Sequence, residues 1–360
     1  MAASDRNAAQ RPALWAAVGL AIHLILVGVF LVAFDGNPQW FVHFGTEYPG
    51  IGYARSILGP DLLTPHQDGH DGQAYWALAR DPLLLHGRDV LARNLDRPVY
   101  RAQRIAYPAI AAAWRLAGET ALLWGLLITN LLVVFAGGWL AAQLARLSGA
   151  PLRASLGFAL CPGVVVAALF DFSDALALAA LLAAIVGLQS RRTALAIGAA
   201  VLAVLAKEPS LLGLIGIATL APALDRRTRL SLVLVPTVAM IGWGLYARWR
   251  LGWLPTQINE LALPLLGYVE AWQRAWAPRS AWADAFFAVA LLPIAVIGTR
   301  WWIARRTLLL SAAVPFLWLV PFLSGSVLGL TLNSLRAIAP AVTLLILDGY
   351  AAAAQARSRT

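Results

Sequence analysis

Cysteine, lysine and acidic residues are all scarce in this chain of 360 residues. The single cysteine, Cys161, lies within an apolar run, so a disulfide framework is excluded. Charged residues make up only 13% of the chain, whereas hydrophobic residues make up 60%. No part of the sequence has the composition of a separate soluble domain, and we therefore expect residues 1–360 to form one integral membrane domain.

Long apolar runs with few charges recur throughout the sequence, which is typical of a polytopic α-helical membrane protein. The first run is too long for the apolar region of a cleavable signal peptide, so we expect it to be a membrane span. The sequence predicts an all-α bundle with about 10–11 transmembrane helices. The predicted spans are 13–34, 121–144, 152–169, 173–189, 192–206, 208–224, 229–249, 281–299, 307–324 and 334–353.

One apolar segment, 105–117, is shorter than the predicted spans. A helix of this length rises about 20 Å, whereas the hydrocarbon core of a bilayer is about 30 Å thick. We expect 105–117 to be short, tilted or partly inserted. The alternative is a full span beside a distorted neighbour, which would invert the sidedness of every later loop.

Lysine occurs once, at Lys207, so nearly all of the positive charge behind the net +10 comes from arginine. Most arginines lie in short loops between apolar runs, as the positive-inside rule expects of cytoplasmic loops, and they do not indicate nucleic-acid binding. Both termini are therefore predicted to be cytoplasmic. The arginines on this side are Arg6, Arg11, Arg146, Arg153, Arg191, Arg192, Arg226, Arg227, Arg229, Arg300, Arg305, Arg306, Arg357 and Arg359. The outer side then receives the segments 35–104, 171–174, 207–208, 250–280 and 325–336.

The first outer loop, 35–104, holds eight of the eighteen acidic residues and four of the five histidines. We expect it to form short helices at the membrane surface, with Tyr75 and Trp76 at headgroup depth. The second outer loop, 250–280, carries several tryptophans that suit the same interface. Long polar loops beside a bilayer commonly carry function.

Within the first outer loop, Asp71 and Gly72 precede a run that is typical of a helix. A carboxylate at the mouth of a membrane-facing cleft can take a proton from an acceptor hydroxyl, which makes Asp71 a candidate general base. The alternative is that Asp71 caps the helix that follows it. The two roles are compatible.

Two further acids, Asp171 and Asp174, lie in a short outer turn between apolar runs. Acids at membrane depth are costly to keep there and tend to be functional, so Asp174 is a second candidate catalytic residue. The alternative is that Ser173 or Asp174 begins the next helix as its cap.

Several cations lie at the outer ends of predicted spans. Lys207 could bind a lipid phosphate, with Glu208 orienting it; alternatively the two form a surface ion pair worth under about 1 kcal/mol. The arginines at comparable positions are Arg101, Arg104 and Arg336. Each could reach lipid headgroups singly, whereas several converging on one cavity would suit a phosphate, which guanidinium groups bind in a bidentate manner.

The first outer loop also groups side chains of metal-ligand type, namely His66, Asp68, His70 and Asp71. Their spacing matches no closed zinc site, which commonly uses cysteines or widely separated histidines. His66 and His70 are therefore candidate metal ligands, and a solvated loop without metal is the alternative.

In the order of these features, the chain resembles the GT-C superfamily of membrane glycosyltransferases. It resembles especially the bacterial branch related to protein mannosyltransferases and lipopolysaccharide-core sugar transferases. The resemblance covers the first span to the end of the Lys207 region, and more loosely the rest. The motifs that carry it are Asp71-Gly72-Gln73-Ala74-Tyr75, Arg104-Ile105-Ala106-Tyr107-Pro108, Cys161-Pro162-Gly163, the turn from Asp171 to Asp174, and Lys207-Glu208-Pro209.

The resemblance implies an active site on the outer face of a bacterial inner membrane. The donor would be a polyprenyl-phosphate sugar whose phosphate is held by Lys207 and an arginine, and the acceptor would be a lipid, a glycan or a protein. Asp71 would deprotonate the acceptor hydroxyl, which attacks the anomeric carbon with inversion. A basic cradle could replace a strong general acid, since phosphate is a good leaving group. The resemblance fixes no cofactor and leaves a divalent metal open. The substrate-binding residues that it implies are Gln73, Tyr75, Arg101, Arg104, Asp171, Lys207, Glu208 and Arg336.

Two other classes of protein remain open. A transporter or polyprenyl-lipid flippase would use the same charges as a pathway, and a membrane scaffold would need no catalytic group. Against transport, the sequence has no evident internal repeat and its polar residues are concentrated on one side. A nucleotide-sugar donor is not indicated, because the sequence has no glycine-rich phosphate loop.

Overall fold

A computed structural model describes residues 2–222, 224–255, 260–276 and 282–358, and the side chains of residues 2–11 are outside what is described. Within these ranges the chain is helical and forms no strand, apart from two isolated bridges that join Gly45 to His66 and Leu261 to Leu323. The predicted all-α class is confirmed. The side chains of Arg6, Arg11 and Arg359, which entered the topology prediction, lie outside the described set.

The α-helices vary from single turns in the first outer loop to long rods in the bundle. In chain order they are α1 (Ala2–Ala33), α2 (Gln39–Val42), α3 (Ile51–Leu58), α4 (Asp71–Arg80), α5 (Ala92–Asn94), α6 (Pro98–Gln103), α7 (Ala106–Ala111), α8 (Glu119–Leu147), α9 (Leu156–Ala159), α10 (Pro162–Leu169), α11 (Asp174–Gln189), α12 (Thr193–Ala206), α13 (Ser210–Leu220), α14 (Arg226–Arg250), α15 (Leu266–Ala275), α16 (Trp282–Arg305), α17 (Leu308–Leu319), α18 (Gly325–Leu328) and α19 (Thr331–Arg357). Short 3₁₀ helices cover Ala112–Ala117, Leu152–Ser155 and Val320–Phe322, and a π-helix covers Gly87–Leu91.

In its described residues, each of the ten segments predicted as spans is mainly helical, although 152–169 is broken at Leu160 and Cys161. In the described part of the chain, five helical segments are long and apolar enough to cross a membrane: Pro12–Ala33, α8, α14, α16 and α19. A sixth is formed if Leu152–Ala159 and Pro162–Leu169, which are bent by 52° at Cys161, count as one span. The bend has a local cause, since Pro162 has no N–H to continue the first helix but suits the first turn of the second. The shorter apolar helices are α11, α12, α13 and the segment Leu308–Phe322.

The segment 105–117 does not form a long helix. It consists of α7 followed by the 3₁₀ helix Ala112–Ala117, and together they rise roughly 21 Å, less than the hydrocarbon thickness of about 30 Å. Gly118 then turns the chain into α8 with a φ of 107°, a value that favours glycine. The prediction of a short segment here is confirmed.

Close helix packing brings the start of α19 to the turn between α10 and α11. At Gly163, in α10, an added Cβ would lie 2.6 Å from Cβ of Ala339 and 2.8 Å from the carbonyl oxygen of Leu335. Only a residue without a side chain permits this approach, as at many helix contacts in membrane proteins. Arg336 is consequently held beside the turn that contains Asp174.

The first outer loop folds as the predicted series of short helices, but α4 lies beneath the others rather than at the surface. Residues Gly72 to Ala79 are all buried. Tyr75 and Trp76 are enclosed by protein rather than exposed on the surface, with exposed fractions of 0% and 1%. The reason is that α4 packs on the membrane helices, where Gly72 allows the carbonyl oxygens of Val42 and Phe170 to approach within 2.8 Å of the position of a Cβ.

Candidate functional site

Eight charged side chains from five separate segments meet at one end of the helix bundle. They come from the start of α4, the segment around α6, the start of α11, the turn between α12 and α13, and the first turns of α19. We call them the charged cluster; its members are Asp71, Asp96, Arg101, Arg104, Asp174, Lys207, Glu208 and Arg336.

The two central carboxylates are placed by helix N-termini. Asp71 is the first residue of α4 and Asp174 is the first residue of α11. The first turn of a helix carries unpaired N–H groups and a partial positive charge, which favour a carboxylate. Neither acid caps its helix, because His70 and Ser173 hold the N-cap positions and neither helix has a side-chain capping hydrogen bond.

Arg336 joins these two carboxylates. Its Nη2 donates to Oδ2 of Asp71 at 2.7 Å and lies 2.9 Å from Oδ2 of Asp174, which also accepts from Nε at 3.1 Å. The other carboxylate oxygens are also engaged: Arg101 donates to Oδ1 of Asp71, and Lys207 donates to Oδ1 of Asp174. The result is a continuous chain of alternating charges.

Each remaining arginine of the cluster has its own bidentate partner. Arg101 donates from Nε and Nη2 to Asp96 at 2.9 and 2.8 Å. Arg104 donates from Nε and Nη2 to Glu208 at 2.9 and 2.7 Å. A mutual ion pair of Lys207 with Glu208 is thus wrong, because each of the two adjacent side chains has a partner from another segment.

The cluster is balanced in charge and largely shielded from solvent. Four cations face four carboxylates, so its formal net charge is zero. The exposed side-chain fraction is 5% for Asp174, 9% for Arg336 and 16% for Asp71. It is larger for Glu208, at 29%, and for Asp96, at 30%, so the cluster is most open to solvent at these two acids. Burial raises the pKa of Asp71, but the charges of Arg101 and Arg336 outweigh burial and hold that pKa well below its usual range. Asp71 is therefore ionised at neutral pH.

Aromatic rings pack against the guanidinium groups of two arginines in the cluster. The guanidinium carbon of Arg336 lies 3.8 Å from the ring centre of Phe172, and that of Arg104 lies 4.2 Å from the ring centre of Tyr100. Such cation–π contacts fix a guanidinium group without using its N–H donors. The donors consequently remain available to carboxylates or to an anionic ligand.

Asp171 belongs to a different group from the charged cluster. Its Oδ1 lies 3.3 Å from the hydroxyl of Tyr107, which accepts from Nδ2 of Asn130 at 2.9 Å, and its Oδ2 has no hydrogen-bond partner. Burial in the turn between α10 and α11 raises the pKa of Asp171 to about 8. The carboxyl is therefore mostly protonated at neutral pH, and it lies apart from the charged residues around Asp71 and Asp174.

Gln73 and Tyr75 are internal supports of α4. Gln73 accepts from the backbone N–H of Gly45 at 2.9 Å and donates to the carbonyl oxygen of Asp68 at 3.0 Å. The hydroxyl of Tyr75 lies 3.0 Å from that of Ser173. Both side chains are buried and hydrogen-bonded within the protein, where they hold the helix that begins with Asp71.

Three of the four histidines of the first outer loop have their rings close together. The ring centre of His43 lies 4.9 Å from that of His66 and 4.5 Å from that of His70. Burial lowers the pKa of His43 and of His70 to about 4, so both rings are neutral at pH 7. Within the part of the chain that is described, no three His, Cys, Asp or Glu side chains are arranged to hold a metal ion. The structure gives no support to His66 and His70 as metal ligands.

Sequence reasoning missed three residues of the site: Asp96, Tyr100 and Phe172. For the first two a signal was present, because Arg97, Arg101 and Arg104 recur at helical spacing around them. Phe172 carried no such signal, since its role depends on α19 coming to lie beside the α10–α11 turn.

None of the protein-family models, curated proteins or solved structures compared with this chain matches it. Its function is accordingly inferred from the chemistry of the charged cluster. Guanidinium and ammonium groups at one end of a membrane bundle can bind a phosphate, and the carboxylates among them can accept a proton.

Proposed function

We propose that the protein is a membrane glycosyltransferase of the GT-C type, which transfers a sugar from a polyprenyl-phosphate donor to a hydroxyl of a lipid, glycan or protein acceptor. The observation that carries this proposal is the chain Arg101–Asp71–Arg336–Asp174–Lys207, in which three cations surround two carboxylates. A phosphate and a general base are the two groups that such a transfer needs.

In the proposed reaction, Asp71 takes the proton of the acceptor hydroxyl. The acceptor oxygen attacks the anomeric carbon, and the bond from that carbon to the phosphate oxygen breaks. The bonding electrons go to the phosphate, which leaves as polyprenyl phosphate, and the sugar is transferred with inversion. Arg336, Arg101 and Lys207 stabilise the negative charge that develops on the phosphate. Asp174 holds Arg336 and Lys207 in position.

The position of the cluster supports the proposed topology. Its members come from four segments that were predicted to be outside, namely 35–104, 171–174, 207–208 and 325–336, and these segments meet at one end of the bundle. Arg305 and Asp348, which form a pair at 3.0 Å, lie toward the opposite ends of α16 and α19, on the side predicted to be cytoplasmic. We infer a bacterial inner-membrane protein with both termini inside and an outer active site.

The proposed fold has about 10–11 spans, which requires the shorter apolar helices to complete the bundle. The helices α11, α12 and α13 have between 11 and 16 residues and pack among the long ones. Helices of this length span the bilayer only where it is locally thinned or where the protein opens to water.

The test is transfer of labelled sugar by the purified protein in detergent. Polyprenyl-phosphate sugars labelled in the sugar are offered with bacterial membrane lipids or short glycans as acceptors. Transfer that Asp71→Asn abolishes and Asp68→Asn preserves would support the proposal; Asp68 is the matched control because it is an exposed acid of the same segment. A protein that moves the lipid between leaflets of a vesicle but transfers no sugar would be a carrier.

A further inference from the structure

Asp71 is fully occupied by two arginines. Its Oδ1 accepts from Nη1 of Arg101 and its Oδ2 accepts from Nη2 of Arg336. A carboxylate bridged by two guanidinium groups occupies the place that two oxygens of a phosphate would take, because guanidinium binds both anions with the same donors.

The two arginines do not depend on Asp71 for their own position. Arg101 keeps a bidentate contact with Asp96, and Arg336 keeps Asp174. The donors that face Asp71 are therefore held by other carboxylates and would stay in place when Asp71 leaves. Phe172, under the guanidinium of Arg336, adds a further support.

A base in this arrangement is poorly suited to accept a proton. The charges of Arg101 and Arg336 overcome the effect of burial and lower the pKa of Asp71, and a carboxylate with so low a pKa is a weak general base. Separation from the two guanidinium groups would bring the pKa of Asp71 back toward the usual range for aspartate, where it is a stronger base.

We propose that Asp71 is an internal competitor of the donor phosphate, and that a phosphate that binds to Arg101 and Arg336 displaces Asp71 and so releases it to act on the acceptor. This inference rests on the proposed function for the identity of the phosphate. It makes the base available only when a donor is bound, and it predicts that donor binds before acceptor.

The test is binding of a short-chain polyprenyl phosphate to the purified protein in detergent, measured by calorimetry at one salt concentration. Asp71→Asn removes the competing charge and should bind this ligand at least about tenfold more tightly, because the two charge-assisted hydrogen bonds from Arg101 and Arg336 no longer compete with the phosphate. Asp71→Ser is a second neutral variant with the same expectation, and Asp68→Asn should bind like wild type. The uncharged polyprenol of the same chain length should bind all four proteins alike.

If both neutral variants bind polyprenyl phosphate no more tightly than wild type does, the proposal that Asp71 competes with the phosphate is overturned. Equal tightening for the uncharged polyprenol would also overturn it, because the effect would then not concern the phosphate. The assay requires no turnover, so it separates the two proposals. If the neutral variants bind more tightly but wild type transfers no sugar, the competition by Asp71 is supported and the glycosyltransferase function is not. If wild type transfers sugar but the neutral variants bind no more tightly, the function is supported and the competition is overturned.

Discussion

Replacing Arg336 with alanine should be the most damaging single substitution in the charged cluster. It removes the guanidinium group that lies 2.7 Å from Asp71 and 2.9 Å from Asp174. Loss of one partner of a buried ion pair costs about 3–5 kcal/mol, because a buried charge is left uncompensated. Arg101 and Lys207 still face the two carboxylates in this variant, so we expect a loss at the lower end, about 3 kcal/mol.

The assay is thermal unfolding in detergent, followed by tryptophan fluorescence. A loss of this size corresponds to a fall in Tm of about 6–12 °C, from about 2–4 °C per kcal/mol in domains of a few hundred residues. Arg336→Lys keeps the charge but not the forked geometry, and it should recover only part of the loss. Adding Asp174→Ala to Arg336→Ala should cost less than Asp174→Ala costs alone, since the pair is already broken.

Arg305→Ala is the matched control for this prediction. Arg305 pairs with Asp348 at 3.0 Å near the other end of α19. This variant should also lower Tm, but it should leave binding of polyprenyl phosphate unchanged, whereas Arg336→Ala should weaken that binding. A Tm of Arg336→Ala within about 2 °C of wild type would refute the reasoning, since Asp71 and Asp174 would then not depend on Arg336.

Three further predictions concern other parts of the protein. Lys207→Ala should raise the apparent KM for the donor more than the apparent KM for the acceptor. Lys207→Arg should restore the donor KM only in part. An unchanged donor KM would show that Lys207 only reaches lipid headgroups. In the folded protein Asp171 stays protonated up to about pH 8, whereas in the unfolded chain it ionises above about pH 4. Its contribution to the free energy of unfolding therefore falls as pH rises between these values. Asp171→Asn should therefore reduce the fall in Tm between pH 5 and pH 8, and a pH profile identical to that of wild type would contradict the burial argument. A cysteine at exposed Leu85, with Cys161 buried, should react with an impermeant reagent added from outside; reaction only after the membrane is broken would reverse the topology.

The elements of the fold follow from local features of the sequence, whereas the partners within the site do not. Apolar runs indicated every long helix, and the thirteen-residue length of 105–117 indicated that it does not form one. The position of Lys207 and Arg336 at the same end of two runs indicated that they lie near each other, and they meet at Asp174. Pairing was less predictable: adjacency suggested Glu208 for Lys207, but Glu208 turns to Arg104.

Burial was the other quantity that the sequence left open. Tyrosine is a residue type that is common at membrane interfaces, but Tyr75 is buried because of the way α4 packs against the rest of the protein. Asp171 and Asp174 are equivalent in sequence as acids of one turn. They differ because Asp171 turns inward, with a φ of 51°, toward Tyr107, while Asp174 begins α11 and faces the cations.

The most direct measurement of the central claim is the initial rate of sugar transfer from a labelled polyprenyl-phosphate sugar, measured side by side for wild type, Asp71→Asn and Asp68→Asn. The account predicts transfer by wild type and Asp68→Asn, and a rate lower by about two or more orders of magnitude for Asp71→Asn, because the general base is lost. All three proteins should be folded and should retain polyprenyl phosphate. Near-normal transfer by Asp71→Asn would contradict the assignment of the base, and no transfer by wild type across the donors offered would contradict the assignment of the protein as a glycosyltransferase.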